Sequence, residues 1–128
     1  MNRINYVART PDQLYSEVYD LRANKDAFVC YIRGKCCRDY ASFIAQFASA
    51  LQFPEYFGDN WAALDECLTD LDWLRMKEVS IVIDFGVEFL KYDRNHHHAF
   101  TILLEEMLEY WHENQEQRKV TLTINLGY

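Results

Sequence analysis

The fold of this chain is decided by its central stretch FPEYFGDNWAALDECLTDL, residues 53–71. Pro54 and Gly58 predict a tight turn, because proline restricts the backbone and glycine reaches conformations that other residues resist. A short helix follows, and either Asp59 or Asn60 suits its N-cap. Apolar residues then recur three, four and seven positions apart, which is the spacing of one buried helix face. The members of this face are Trp61, Leu64, Leu68 and Leu71.

The opposite face of the predicted helix is acidic. Residues 39–74 contain seven acids and neither lysine nor arginine, whereas the whole chain has 20 acids and 13 bases, so its net charge of −7 arises in this window. Glu66 has Ala62 four residues before it and Asp70 four residues after it. It therefore lacks the opposite charge that would stabilise an exposed helix by ~0.2–0.5 kcal/mol. Two interpretations stay open: a surface for a basic partner, or a patch that only increases solubility.

The segment EYFGDNWAALDECLT, residues 55–69, resembles the characteristic segment of the barstar family, small intracellular inhibitors of secreted ribonucleases. The shared pattern is an aromatic pair, a glycine, an acid and an asparagine, followed by Ala-Leu and then by Cys-Leu-Thr. The resemblance implies that this loop and helix enter the active site of a nuclease, where carboxylates replace RNA phosphates. It predicts an inhibitor of a basic ribonuclease or nuclease toxin, acting as an immunity protein or antitoxin and not as an enzyme.

The resemblance also implies roles for individual side chains. Tyr56 matches the aromatic residue that stacks on the nuclease. Glu66 matches the acid that enters the catalytic pocket, here with a side chain longer by one methylene. The predicted partner-binding residues are Tyr56, Phe57, Gly58, Asp59, Asn60, Ala62, Glu66 and Asp70.

Two residues depart from the family pattern. Ala62 stands where a family member has a second inhibitory aspartate, and Asp65 stands where it has a tryptophan. The contact chemistry therefore differs, and the target need not be the same nuclease. The missing acid at Ala62 also keeps a second hypothesis open, namely a regulatory module of barstar-like fold that binds a protein other than a nuclease.

The length of 128 residues and the hydrophobic content of 50% predict one folded domain. Residues 27–126 show the order strand, helices, strand, helix, strand, which is typical of an α/β fold with a parallel sheet. The resemblance implies a barstar-like, three-stranded parallel sheet packed with helices. Residues 1–26 are expected to be an extension that contains one extra helix.

Local patterns predict the individual elements. Thr10, Pro11 and Gln13 indicate the start of the extra helix, with a capping box. The stripe expected to pack that helix on the domain is Leu14, Val18 and Leu21. Two later helices are predicted from Asp39 to Leu51 and from Asp93 to about residue 114. The remaining predictions are strands at residues 27–32, 79–85 and 119–126, a weakly marked strand at 4–7, and a turn at 89–92 whose aromatic residues point inward.

The charge balance favours a basic protein as the partner, because nucleic-acid binding requires clustered lysine and arginine. The expected complex is one-to-one with a monomer. Neither an apolar run of ~20 residues nor the apolar segment of a secretory signal peptide is evident. The four cysteines lack the spacing of a disulfide framework or metal motif, so reduced thiols and a cytoplasmic location are expected.

Other groups in the chain suggest chemistry less strongly. His96, His97 and His98 project in different directions and lack a partner at the spacing of a zinc site, so no metal is expected. Cys36 and Cys37 precede an arginine, which can lower the pKa of a thiol, and an enzyme that uses one of them is a third hypothesis. The chain has no recognisable triad, phosphate loop or nucleotide fingerprint. Catalytic residues and cofactors are therefore not expected.

Overall fold

The computed structural model describes residues 3–54 and 60–127, and these residues contain four strands and four α-helices. The strands are β1 (Asn5–Val7), β2 (Ala27–Arg33), β3 (Glu78–Asp84) and β4 (Lys119–Asn125). The helices are α1 (Pro11–Arg22), α2 (Tyr40–Ala50), α3 (Trp61–Leu68) and α4 (Arg94–Glu113). Among the described residues, no helix combines the length and the apolar character that a bilayer span requires.

The sheet is parallel, as predicted, but the prediction of three strands is wrong. The four strands lie in the order β1-β4-β3-β2, with β1 paired to the outer edge of β4. Asn5 lies opposite Thr123, and Val7 lies opposite Asn125. The backbone N–H of Arg3 also donates to Glu105 of α4 at 2.8 Å. A strand of three residues is too short for a clear periodicity, and these contacts with the distant end of the chain define it.

The two faces of the sheet are covered by different helices, because alternate side chains of a strand point to opposite faces. On one face the main core contains Phe43 and Phe47 of α2 together with residues of α3 and α4. On the other face Val82 of β3 packs with Leu14 and Val18 of α1. Helix α1 therefore covers the face opposite α2, α3 and α4. The residues that β3 contributes to the main core are Val79, Ile81 and Ile83.

The predicted helix starts at Thr10 and Asp39 are confirmed by the hydrogen bonds at these residues. The side chain of Thr10 accepts from Gln13 N at 3.3 Å, and the Gln13 side chain accepts from Thr10 N at 3.0 Å. Asp39 accepts from Ser42 N at 2.9 Å and also from the Ser42 hydroxyl. These bonds to Ser42 lower the pKa of the Asp39 carboxyl. Both helices thus begin with capping boxes.

Two residues expected to point inward are exposed. Leu21 is 40% exposed and lies at an open groove beside Ser80 and Thr121, where the sheet surface is polar. Tyr92 is 70% exposed, although Phe89 in the same turn is buried as expected. The backbone of this turn donates from Leu90 N to Cys37 O at 2.7 Å and from Tyr92 N to Arg38 O at 3.0 Å, while the Tyr92 side chain remains exposed.

Candidate functional site

The acidic helix α3 begins at Asn60, which decides between the two predicted caps. The Asn60 side-chain oxygen accepts from Ala63 N at 2.9 Å, and its backbone oxygen accepts from Leu64 N at the same distance. These two hydrogen bonds therefore stabilise the first turn of the helix and fix the direction in which the helix leaves Asn60. Four predicted partner-binding residues, Tyr56, Phe57, Gly58 and Asp59, lie outside the described residues.

The inner face of α3 is firmly packed in the main core. Leu64 and Leu68 are fully buried, as the sequence spacing predicted, and Leu71 is also fully buried although it lies beyond the end of α3. Trp61 is half-buried, and its ring centroid lies 5.6 Å from that of Phe43. The helix consequently cannot turn about its axis without opening the core, so its outer face has a fixed orientation.

The outer face of α3 presents Ala62, Asp65 and Glu66 to solvent. Ala62 and Glu66 lie one helical turn apart on the same side. Of the lysines and arginines in the part of the chain that the structure describes, none lies within ion-pair distance of Glu66. The Glu66 carboxylate is therefore available to an external cation.

Asp70 lies just beyond α3 and extends the acidic surface. Partial burial raises the pKa of its carboxyl above the ordinary value, and the nearby carboxylate of Asp72 raises it further. The buried Arg118 opposes this effect but donates to backbone, with its Nη1 atom 3.1 Å from Asp70 O. An acid under these conditions is less stable in its ionised form, and a basic partner would relieve the repulsion.

The end of α3 is held by two residues, one in the last turn of α4 and one immediately before β4. The indole Nε1 of Trp111 donates to Leu68 O at 2.8 Å, and Arg118 also donates to Met76 O at 2.9 Å. The Arg118 guanidinium carbon lies 5.4 Å from the centroid of the Trp111 ring. The sequence indicates neither this role of Trp111 nor that of Arg118, because both residues are distant from α3 in the chain.

The first turns of α2, α3 and α4 meet in an aromatic cluster that the sequence did not predict. The ring of His96 stacks on Tyr40 at a centroid distance of 4.4 Å and on Trp61 at 5.8 Å. Its Nδ1 atom lies 2.6 Å from Asp93 Oδ1 but outside the geometry of a hydrogen bond. His96 thus helps to fix the start of α3.

The histidine triplet does not form a metal site in the part of the chain that the structure describes, where no three potential ligands converge. His97 is half-buried, and burial lowers its pKa, with smaller contributions from the charges of Arg94 and His98. His98 is exposed. The three rings therefore have separate environments.

Of the two cysteines considered for catalysis, Cys36 and Cys37, the second is in an unfavourable environment. Cys37 is fully buried, and burial is the main cause that raises its pKa to about 12. Its thiol is therefore protonated at neutral pH, whereas nucleophilic cysteines need an accessible thiolate. Cys36 is exposed, and Cys67 is buried on the flank of α3.

A comparison with models of protein families agrees with the resemblance seen in the central segment. The family model described as Barstar (barnase inhibitor) matches residues 27–126, which is most of the chain. The match begins at β2, so β1 and α1 lie outside it. None of the curated proteins searched matches the chain. On the evidence of the family model, the chain belongs to the barstar family.

Proposed function

We propose that this protein inhibits a basic ribonuclease by placing residues 55–59 and the outer face of α3 in the active site of the enzyme. The observation that carries the proposal is the exposed Glu66 carboxylate, which has no cationic partner among the described residues. The proposal is supported by membership of the barstar family, whose model is described as that of a barnase inhibitor. In this arrangement the carboxylate takes the position of an RNA phosphate and blocks access of the substrate.

Rigid support of α3 favours tight binding. Asn60 holds the first turn of the helix, and Trp111 and Arg118 hold its end. A surface that is ordered before binding loses less conformational entropy in the complex. The carboxylate of Glu66 therefore needs only to select a side-chain rotamer when the nuclease docks.

The charge distribution favours a basic target. The chain has a net charge of −7, and residues 39–74 account for it without one lysine or arginine. Opposite fields raise the rate of encounter, and salt screens them over about 10 Å at 0.1 M. The association rate with the nuclease should accordingly fall as the ionic strength rises.

The other predicted residues have complementary roles in this proposal. Tyr56 and Phe57 provide aromatic contact, and Gly58 allows a close approach of the two backbones. Asp59 and Asp70 occupy further phosphate positions beside Glu66. Desolvated charges at the centre of an interface contribute most to affinity, whereas charges at its rim act mainly on the association rate.

The biological setting that fits this activity is protection of the producing cell, or of its neighbour, from a ribonuclease toxin. The inhibitor would act in the cytoplasm as a monomer in a one-to-one complex. An acidic protein of this kind has no need to bind RNA itself, because it blocks the enzyme that does.

The test is an affinity capture from lysate of the native host with three baits: the wild type, Glu66→Lys and the control Asp20→Lys. Asp20 is exposed on α1, on the opposite side of the sheet, and its substitution changes the net charge by the same amount. Bound protein is eluted in denaturant, refolded without the bait and assayed for cleavage of RNA. Circular dichroism verifies that each bait is folded.

The expected result is ribonuclease activity captured by the wild type and by Asp20→Lys, and lost with Glu66→Lys. Activity captured equally by all three baits would contradict the role of Glu66. Loss with both lysine variants would show that only net charge matters and not this surface.

The second candidate function is a regulatory module that binds a protein other than a nuclease. The exposed, uncharged Ala62 favours it. This position lies one turn from Glu66 on the same surface, and it lacks the second inhibitory aspartate that a family member has there. Capture of a specific partner without ribonuclease activity, again lost with Glu66→Lys and retained with Asp20→Lys, would support this function over inhibition.

A further inference from the structure

A second candidate site lies on the face of the sheet opposite α3, between α1 and the carboxyl ends of β2 and β3. It is a cavity of about 330 Å³, within the size range of small-molecule sites. Arg33 and Asp84, the last residues of β2 and β3, lie in its wall. Ligands of open α/β sheets commonly bind at this end of the strands. The helix that closes the cavity belongs to the extension outside the family match.

The walls of the cavity are largely apolar and aromatic. Leu14 and Val18 of α1 are buried against the sheet, and their outer sides line the cavity. Tyr15, on the same helix, is 76% exposed at the rim. Phe85, which follows β3, also lines the cavity. A flat apolar molecule would therefore contact side chains of α1 and the ring of Phe85.

The rim of the cavity is positively charged, although the chain as a whole is acidic. Arg22 and Arg33 both line the cavity, and neither is paired with a carboxylate among the described residues. The Lys35 ammonium lies 4.0 Å from the centroid of the Phe85 ring, and the Arg33 guanidinium carbon lies 5.5 Å from it. Guanidinium groups suit planar, bidentate recognition of a carboxylate.

The acid in the cavity wall, Asp84, is already satisfied by neighbouring donors. It is buried and accepts from Phe85 N at 2.8 Å, from Asn125 Nδ2 at 3.0 Å and from the Tyr31 hydroxyl. Burial and this last bond raise the pKa of Tyr31, so its phenol is uncharged at neutral pH. The two guanidinium groups and the one carboxylate that line the cavity thus give a net charge of +1.

We propose that this cavity binds a small aromatic monocarboxylate, with its ring between α1 and Phe85 and its carboxylate on Arg33 and Arg22. The carboxylate of Asp84 in the wall repels a second negative charge on the ligand, which favours a monoanion over a dianion such as a phosphate monoester. The site is independent of ribonuclease inhibition, because it lies on the other side of the sheet from Glu66.

The test is an NMR titration of the full chain with 2-naphthoate, and with 2-naphthamide as the neutral ligand of the same shape. Saturable shifts are expected at amides of α1 and around Arg33 and Phe85. Arg33→Gln should weaken binding at least tenfold, since a hydrogen bond to a charged group is lost. Lys25→Gln is the matched control, because Lys25 is exposed, carries the same charge and lies outside the cavity wall.

Three results would overturn the proposal. The first is no saturable shift of these amides with 2-naphthoate up to about 10 mM, an affinity too weak for a specific site. The second is equal weakening by Arg33→Gln and Lys25→Gln, which would indicate unspecific attraction. The third is equal affinity for 2-naphthamide, which would show that the carboxylate is not recognised.

Discussion

The indole of Trp111 donates a hydrogen bond from Nε1 to the carbonyl oxygen of Leu68 at a distance of 2.8 Å. Both residues are buried, so water cannot replace the donor. This bond connects the last turn of the long helix α4 to the last turn of α3, whose outer face carries Glu66. Helix α4 therefore fixes the position of the end of α3.

The first prediction concerns this bond. Trp111→Phe should lower the free energy of unfolding by about 1–3 kcal/mol, because it leaves a buried carbonyl oxygen without its donor. Urea denaturation measures the change. Tyr110→Phe is the control, since Tyr110 is 39% exposed and should change stability by less than about 0.5 kcal/mol. Equal stability of the two variants would show that the bond contributes little.

The second prediction concerns the start of α3. Asn60→Ala should reduce the free energy of unfolding by about 0.5–2 kcal/mol, because Ala63 N loses its acceptor at the cap. Asn60→Asp should retain most of the stability, since aspartate caps equally well. Chemical denaturation of the three proteins provides the comparison. A similar loss in both variants would mean that Asn60 acts through another contact.

The third prediction concerns pH and Asp70. Its pKa is raised in the folded protein, first by partial burial and then by Asp72. The unfolded chain therefore releases this proton at lower pH than the folded protein does. The stability contributed by the protonated carboxyl is present at low pH and is lost as the pH rises from the ordinary carboxyl range through the raised pKa.

Asp70→Asn should consequently be more stable than the wild type at neutral pH, and this advantage should vanish at a pH below the ordinary carboxyl range. Thermal denaturation across that interval tests it, with Asp12→Asn as a control on the opposite side of the sheet. A stability difference that does not vary with pH would exclude titration of Asp70 as its cause.

The fourth prediction concerns thiol reactivity. In the folded protein iodoacetamide should label Cys36, which is exposed, and spare the other cysteines, which are buried. Burial raises the pKa of both Cys30 and Cys37 to about 12 and removes the reactive thiolate. Mass spectrometry of the labelled peptides identifies the site, and denatured protein should label at all four. Rapid labelling of Cys36 or Cys37 alone at neutral pH would support the hypothesis of a thiol enzyme, whereas the slow labelling of an ordinary thiol would exclude it.

Several elements could be predicted from the sequence because their causes are local. The capping boxes at Thr10 and Asp39 join residues three apart, and the buried leucines of α3 follow the helical repeat. Family membership was also accessible, because residues 55–69 carry a distinctive pattern that the family model confirms over residues 27–126. The partner-binding roles of Tyr56 and its neighbours stay predictions.

The sequence by itself determined the order of the elements, the acidic outer face of α3 and the family. Only the tertiary structure decided that β1 adds a fourth strand, that Arg118 supports the end of α3 and that His96 stacks beside Trp61. These contacts join residues far apart in the chain, and they depend on shape and hydrogen-bond geometry that leave no periodic pattern. The cavity beneath α1 is likewise formed only in the tertiary structure, because its charged and apolar side chains come from three separate elements.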